Sequence, residues 1–110
     1  MTIEIQEKAT IIKDFDSDLG LDNLLIKIIN ENLESQNIIL DLNSYKALKN
    51  KDLNIFLLFA KNIKKNKQSF VIVISDFDFN KSSSKLNIVP TIQEAFDIIE
   101  MEEIERDLGF

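Results

Sequence analysis

The stretch from Asn37 to Lys67 constrains the fold most, because it places an apolar strand, a polar loop and an amphipathic helix in succession. Asn37-Ile38-Ile39-Leu40-Asp41-Leu42 carries no polar residue across its β-branched centre. A strand without polar alternation has to be covered on both faces, as central parallel strands are. The helix, Asp52 to Lys65, starts with Asp52 as its expected N-cap and places Leu53, Phe56, Leu57, Ala60 and Ile63 along one face. Phe70 to Ile74 then supplies another apolar strand. Parallel strands can be joined only by crossovers, so this order calls for a layered α/β domain.

The flanking segments extend that plan. Thr2 to Gln6 alternates, with Ile3 and Ile5 against Thr2, Glu4 and Gln6, and reads as a half-buried strand. A turn at Glu7-Lys8 returns Ala9 to Lys13 beside it as a hairpin. Asp14 to Asp18 is a polar loop. A helix follows from about Asp22 to Glu34, with Leu21, Leu24, Leu25, Ile28 and Ile29 at helical spacing. Asp76 to Lys85 reads as loop, and Leu86 to Val89 as a short strand ended by Pro90. Thr91 and Glu94 form a capping box at the start of the last helix, whose core stripe is Ile92, Ala95, Phe96 and Ile99. One domain over residues 1–110 is expected, without repeats or linkers.

Composition excludes several kinds of function. A net charge of -6 opposes phosphate backbones, so nucleic acid is an unsuitable partner. The basic run Lys61, Lys64, Lys65 and Lys67 falls at a helix C-terminus, where cations complement the dipole. Cysteine and histidine are both absent, which removes thiolate chemistry and the commonest metal ligand. No apolar run reaches membrane-spanning length, and the N-terminus has no targeting pattern; a cytoplasmic protein without membrane association is expected.

The pattern from Ile38 to Val73 resembles a STAS domain, the fold of anti-sigma-factor antagonists. In that family a strand ending in aspartate leads through a connection to Asp-Ser-Ser-Gly at a helix start. Here Ile39-Leu40-Asp41 matches the strand end, and Leu53, Phe56, Leu57, Ala60 and Ile63 match the buried stripe of the helix. The hairpin, first helix and closing strand-helix agree, so the resemblance covers nearly the whole chain. It implies an α/β fold with a STAS-like mixed, mainly parallel sheet, an N-terminal hairpin and three main helices. Where the family has Asp-Ser-Ser-Gly, this chain has Lys49-Asn50-Lys51-Asp52. Lys51 stands at the phospho-acceptor position, which implies a relative that keeps the scaffold and has lost the phosphorylation switch.

A narrower resemblance concerns the tail. Val89-Pro90-Thr91, and the run from Glu94 to Phe110, are similar to small bacterial proteins labelled ribonuclease Z. True enzymes of that name bind two zinc ions through a histidine-rich motif, for which this chain has no ligands. The resemblance therefore implies, at most, an accessory partner of such an enzyme.

Catalytic and metal-binding constellations are incomplete. Asp14-Phe15-Asp16-Ser17-Asp18 has the opening spacing of a calcium loop, but Leu19 and Leu25 stand where the turn glycine and bidentate glutamate belong. Asp41, Asp76 and Asp78 at strand ends leave open a small carboxylate or magnesium-dependent enzyme, without a completed acidic set. Ser82-Ser83-Ser84 reads as loop. No catalytic residue, metal site or cofactor is assigned.

Apolar residues outside the core stripes point to binding instead. Ile55, Leu58 and Phe59 fall away from the buried stripe of the second main helix. Either another element covers them, or they form a partner-binding patch. After Ile99 the apolar positions rotate, so that Met101, Ile104 and Leu108 form a new face among acidic residues. That face either packs on the edge of its own domain or docks into a partner. The expectation is a non-enzymatic interaction and regulatory module, whose partner is another protein or a second copy of the chain.

Overall fold

The structure is a computed structural model, and it describes residues 1–15, 18–31, 36–46, 48–77 and 85–109. Five strands form one sheet in the order β1-β2-β3-β4-β5: β1 (Thr2–Ile5), β2 (Thr10–Lys13), β3 (Ile38–Asp41), β4 (Phe70–Val73) and β5 (Asn87–Val89). Only the β1–β2 hairpin is antiparallel; β2–β3, β3–β4 and β4–β5 are parallel. The helices are α1 (Leu21–Asn30), α2 (Asn50–Leu53), α3 (Leu57–Lys65) and α4 (Ile92–Asp107). A 3₁₀ turn, Asn54–Phe56, joins α2 to α3 into one bent unit. The result is the mixed, mainly parallel α/β architecture, with three main helices.

Topology decides which helix covers which face. The chain adds β3, β4 and β5 in one direction across the sheet, so right-handed crossovers put α1 and α2–α3 on the same side. Leu24 and Ile28 of α1 meet Leu53, Phe56, Phe59 and Ile63 there, over Ile12, Ile38, Leu40, Phe70 and Ile72 of the sheet. The other face shows Ile11, Ile39, Val71 and Val73, covered by Ala95 and Ile99 of α4. Ile38, Ile39 and Leu40 are fully buried because the two faces take alternate residues of one apolar run.

Several local expectations differ from the structure. Ile5 is 72% exposed, because β1 is an open edge strand with one neighbour. Ile29 points outward on α1, and only Leu24 and Ile28 of that helix are fully covered. Asp52 is not the N-cap of the second helical unit. Lys49 occupies that position, and the Asp52 carboxylate, one turn inside, accepts the Lys49 backbone N–H at 2.8 Å. From there the Asp52 charge still faces the positive end of the helix, which favours an acidic side chain. At α4 Thr91 is the N-cap as expected, its hydroxyl accepting the Glu94 N–H at 3.1 Å. The Glu94 carboxylate reaches back to the Thr91 hydroxyl, at 3.1 Å, and not to the backbone N–H that a full capping box would use.

Candidate functional site

The crest formed by the C-terminal ends of the parallel strands is where open α/β sheets usually bind ligands. Here its polar groups hold the chain to itself. The Asp41 carboxylate accepts the Asn43 N–H at 2.9 Å. Asn43 Oδ1 in turn accepts both the Ser75 N–H, at 2.8 Å, and the Ser75 hydroxyl, at 3.0 Å. The tips of β3 and β4 are thereby clipped together. Tyr45 leans on Phe15 with ring centroids 6.1 Å apart. Asp76 is exposed, whereas Asp16, Asp78 and Ser82 to Ser84 lie outside the described residues. Among the described residues, no three acidic side chains gather in a way that could hold a metal ion. Lys51 is exposed in the first turn of α2.

The apolar residues of the second helical unit divide in a way that strict α-helical periodicity does not give. Ile55 is 36% and Leu58 69% exposed, but Phe59 is 5% exposed and belongs to the core. Its ring meets Phe70 edge-on, with centroids 5.2 Å apart. The cause is the 3₁₀ turn at Asn54–Phe56. Each 3₁₀ residue advances about 120° instead of 100°, so three of them rotate α3 by about 60° relative to α2. That rotation brings Phe59 and Ile63 in line with Leu53 and Phe56, and moves Leu57 and Ala60 to the half-buried margin. Phe59 is thus corrected from patch to core.

Beside Leu58 runs a groove of about 670 Å³, lined by Leu57, Leu58, Ala60, Lys61 and Lys64 of α3, by Gln68, Phe70, Lys85 and Asn87, and by Glu102 of α4. It lies by the starts of β4 and β5, at the opposite end of the sheet from the crest. Sequence reasoning missed it because its walls come from four separate segments.

The outer half of α4 explains the rotated apolar stripe. Sixteen helical residues extend about 24 Å, whereas a four-residue strand covers only about 13 Å. Beyond Ile99 the helix therefore faces strand starts and their polar groups, not an apolar sheet. Its inward residues become Glu102, Glu103 and Arg106. Glu102 accepts from Asn87 Nδ2 at 3.0 Å, Glu103 from Asn37 Nδ2 at 3.4 Å, and Arg106 donates to the buried Ser69 hydroxyl at 3.1 Å. Asn37 is the hub, since its Oδ1 also accepts the Ser69 N–H at 2.8 Å and its Nδ2 donates to the Lys8 carbonyl at 2.9 Å. Lys8 pairs with Glu100, whose hydrogen bond and charge raise the lysine above its usual 10.5. With polar residues turned in, Met101, Ile104 and Leu108 face outward at 52%, 60% and 68% exposure. Among the described residues, they belong to neither core cluster.

No helix among the described residues is long and apolar enough to cross a membrane. No family model and no curated protein matches the chain in sequence, so nothing supports the ribonuclease Z resemblance of the tail. The solved structures do contain a match. The crystal structure of a proposed anti-sigma factor antagonist from Thermotoga maritima superposes with a TM-score of 0.63 at 18% identity, over 90% of this chain and 93% of that one. At such identity the likeness concerns architecture, and the architecture is the STAS-like fold: a hairpin-led, mainly parallel five-stranded sheet between α1 and α2–α3 on one face and α4 on the other.

Proposed function

We propose that this chain is a non-enzymatic regulatory module that works by binding another protein, of the anti-sigma-factor kind that the name of its structural neighbour implies. The observation that carries this reading is the exposure of Leu58 and Ile55 on the second helical unit, within the fold of an anti-sigma factor antagonist. Leu58, 69% exposed, belongs to neither core cluster and forms part of the wall of the groove. Met101, Ile104 and Leu108 add a second such surface on α4. At the crest, the self-directed bonds of Asp41, Asn43 and Ser75 support a structural role for the polar groups there.

Lys51 sits where the STAS resemblance has its phospho-acceptor serine. An ammonium provides no hydroxyl for that transfer, so the module binds without the phosphorylation switch and is controlled by other means. Calorimetric titration against purified anti-sigma factors from the same organism tests the reading. Binding by the wild type, weakened at least tenfold in Leu58→Asp, supports it. Absence of binding to every one of them rejects it.

A further inference from the structure

The groove and the tail are complementary in both shape class and charge, and both belong to this chain. From Leu57 to Lys67 there are four lysines and no acidic residue; from Ile92 to Asp107 there are seven acidic residues and one arginine. Lys61 and Lys64 line an apolar groove floored by Leu57, Ala60 and Phe70. Neither forms an ion pair within the described residues. The exposed stripe of Met101, Ile104 and Leu108 is flanked by Glu100, Glu105 and Asp107, the pattern of an acidic amphipathic helix suited to a lysine-rimmed groove. One fit would account for two separate apolar exposures.

We infer that the occupant of the groove is a second copy of this chain, docked through the outer half of its α4, in a two-fold dimer that makes the contact twice. Glu102 lines the groove, so groove and tail border each other within one copy. A two-fold axis between them brings each tail over the partner's groove, giving a closed, isologous assembly. Stable interfaces begin at roughly 1,200 Å² of total buried surface, so each of the two equal contacts needs about 600 Å². The apolar stripe supplies the desolvated centre, and the charges set orientation and salt sensitivity.

Sedimentation velocity of the full chain over a concentration series is the test. The expected species is a dimer of about 25 kDa, twice the 12.7 kDa of the chain, weakened as added salt screens the lysine–carboxylate contacts. Ile104→Ser in the tail and Lys61→Glu in the groove should each raise the dimer dissociation constant at least tenfold, with unchanged circular dichroism spectra showing intact folds. Mixing them should not restore the wild-type dimer, because a mixed two-fold dimer keeps one contact intact and carries both substitutions in the other. Full recovery on mixing would indicate a single head-to-tail contact and overturn the two-fold arrangement. A wild type that stays monomeric at every concentration overturns the inference, as does a dimer indifferent to both substitutions. This inference shares the Leu58 region with the proposed function, yet the two fail separately: a monomer that still binds an anti-sigma factor rejects only the dimer.

Discussion

Phe59 stands edge-on to Phe70 across the α3–β4 interface, with ring centroids 5.2 Å apart and planes at 84°. An edge-to-face pair adds to ordinary apolar burial, and both rings are almost completely covered. Phe59→Ala is therefore expected to cost about 3–5 kcal/mol, measured by urea denaturation, as buried aromatic truncations do. A loss below about 1 kcal/mol would mean that the ring is not packed in the core.

Leu58, one residue earlier, should behave in the opposite way. Its side chain is 69% exposed, so Leu58→Asp is expected to change the unfolding free energy of the monomer, measured at dilute concentration, by no more than about 0.5 kcal/mol. Any loss of binding by that variant then reports on the surface itself. A marked drop in melting temperature would show that Leu58 is covered in the folded protein.

The contrast between these neighbours shows where the sequence is readable. Ile38-Ile39-Leu40 announces a doubly covered strand because the apolar run is rich in β-branched residues and, bounded by Asn37 and Asp41, too short for a buried helix. Thr91 and Glu94 announce a helix start because the capping bonds are local. The face occupied by Phe59 was not readable, since a short 3₁₀ turn shifts the helical phase without a distinctive residue to mark it. The groove and the Asn37 network depend on strand starts and helix overhang, which are long-range properties of the assembled sheet.

That network makes Asn37 a larger contributor than its partial exposure suggests. Asn37→Ala removes the acceptor for the Ser69 N–H, in a residue that is 1% exposed, together with the donor to the Lys8 carbonyl and Glu103. Leaving that amide unsatisfied is expected to cost about 1–3 kcal/mol in chemical denaturation. Hydrogen exchange at the Ser69 amide should accelerate with it. Retained protection at Ser69 would show that another group replaces the asparagine.

Lys8 gives a prediction about pH. Its hydrogen bond and charge contact with Glu100 raise the folded-state value above the usual 10.5. A raised lysine stabilises fully below its unfolded value, near 10.4, and the benefit disappears as pH climbs through the folded value. Melting curves of wild type and Lys8→Met should therefore run parallel from pH 7 to about 9 and converge only above about 10.5. Convergence at neutral pH would place the origin of any difference elsewhere.

Lys67 offers the opposite of damage. α3 ends in a Schellman turn, in which the Gln68 N–H reaches the Ile63 carbonyl at 3.1 Å and the Lys67 N–H reaches the Lys64 carbonyl at 3.0 Å. The turn requires Lys67 at φ 61°, in the left-handed region where a Cβ crowds the following carbonyl. Glycine has no such clash, although it loses more backbone freedom on folding and removes a cation from the helix end. The relief of about 1–2 kcal/mol outweighs these smaller costs, so Lys67→Gly is expected to stabilise by about 1 kcal/mol. Lys67→Ala, which keeps the Cβ and loses the charge, should give no gain. Denaturation midpoints of the three proteins distinguish the causes: equal stabilisation by alanine would assign the effect to lysine repulsion, and a gain confined to glycine assigns it to backbone conformation.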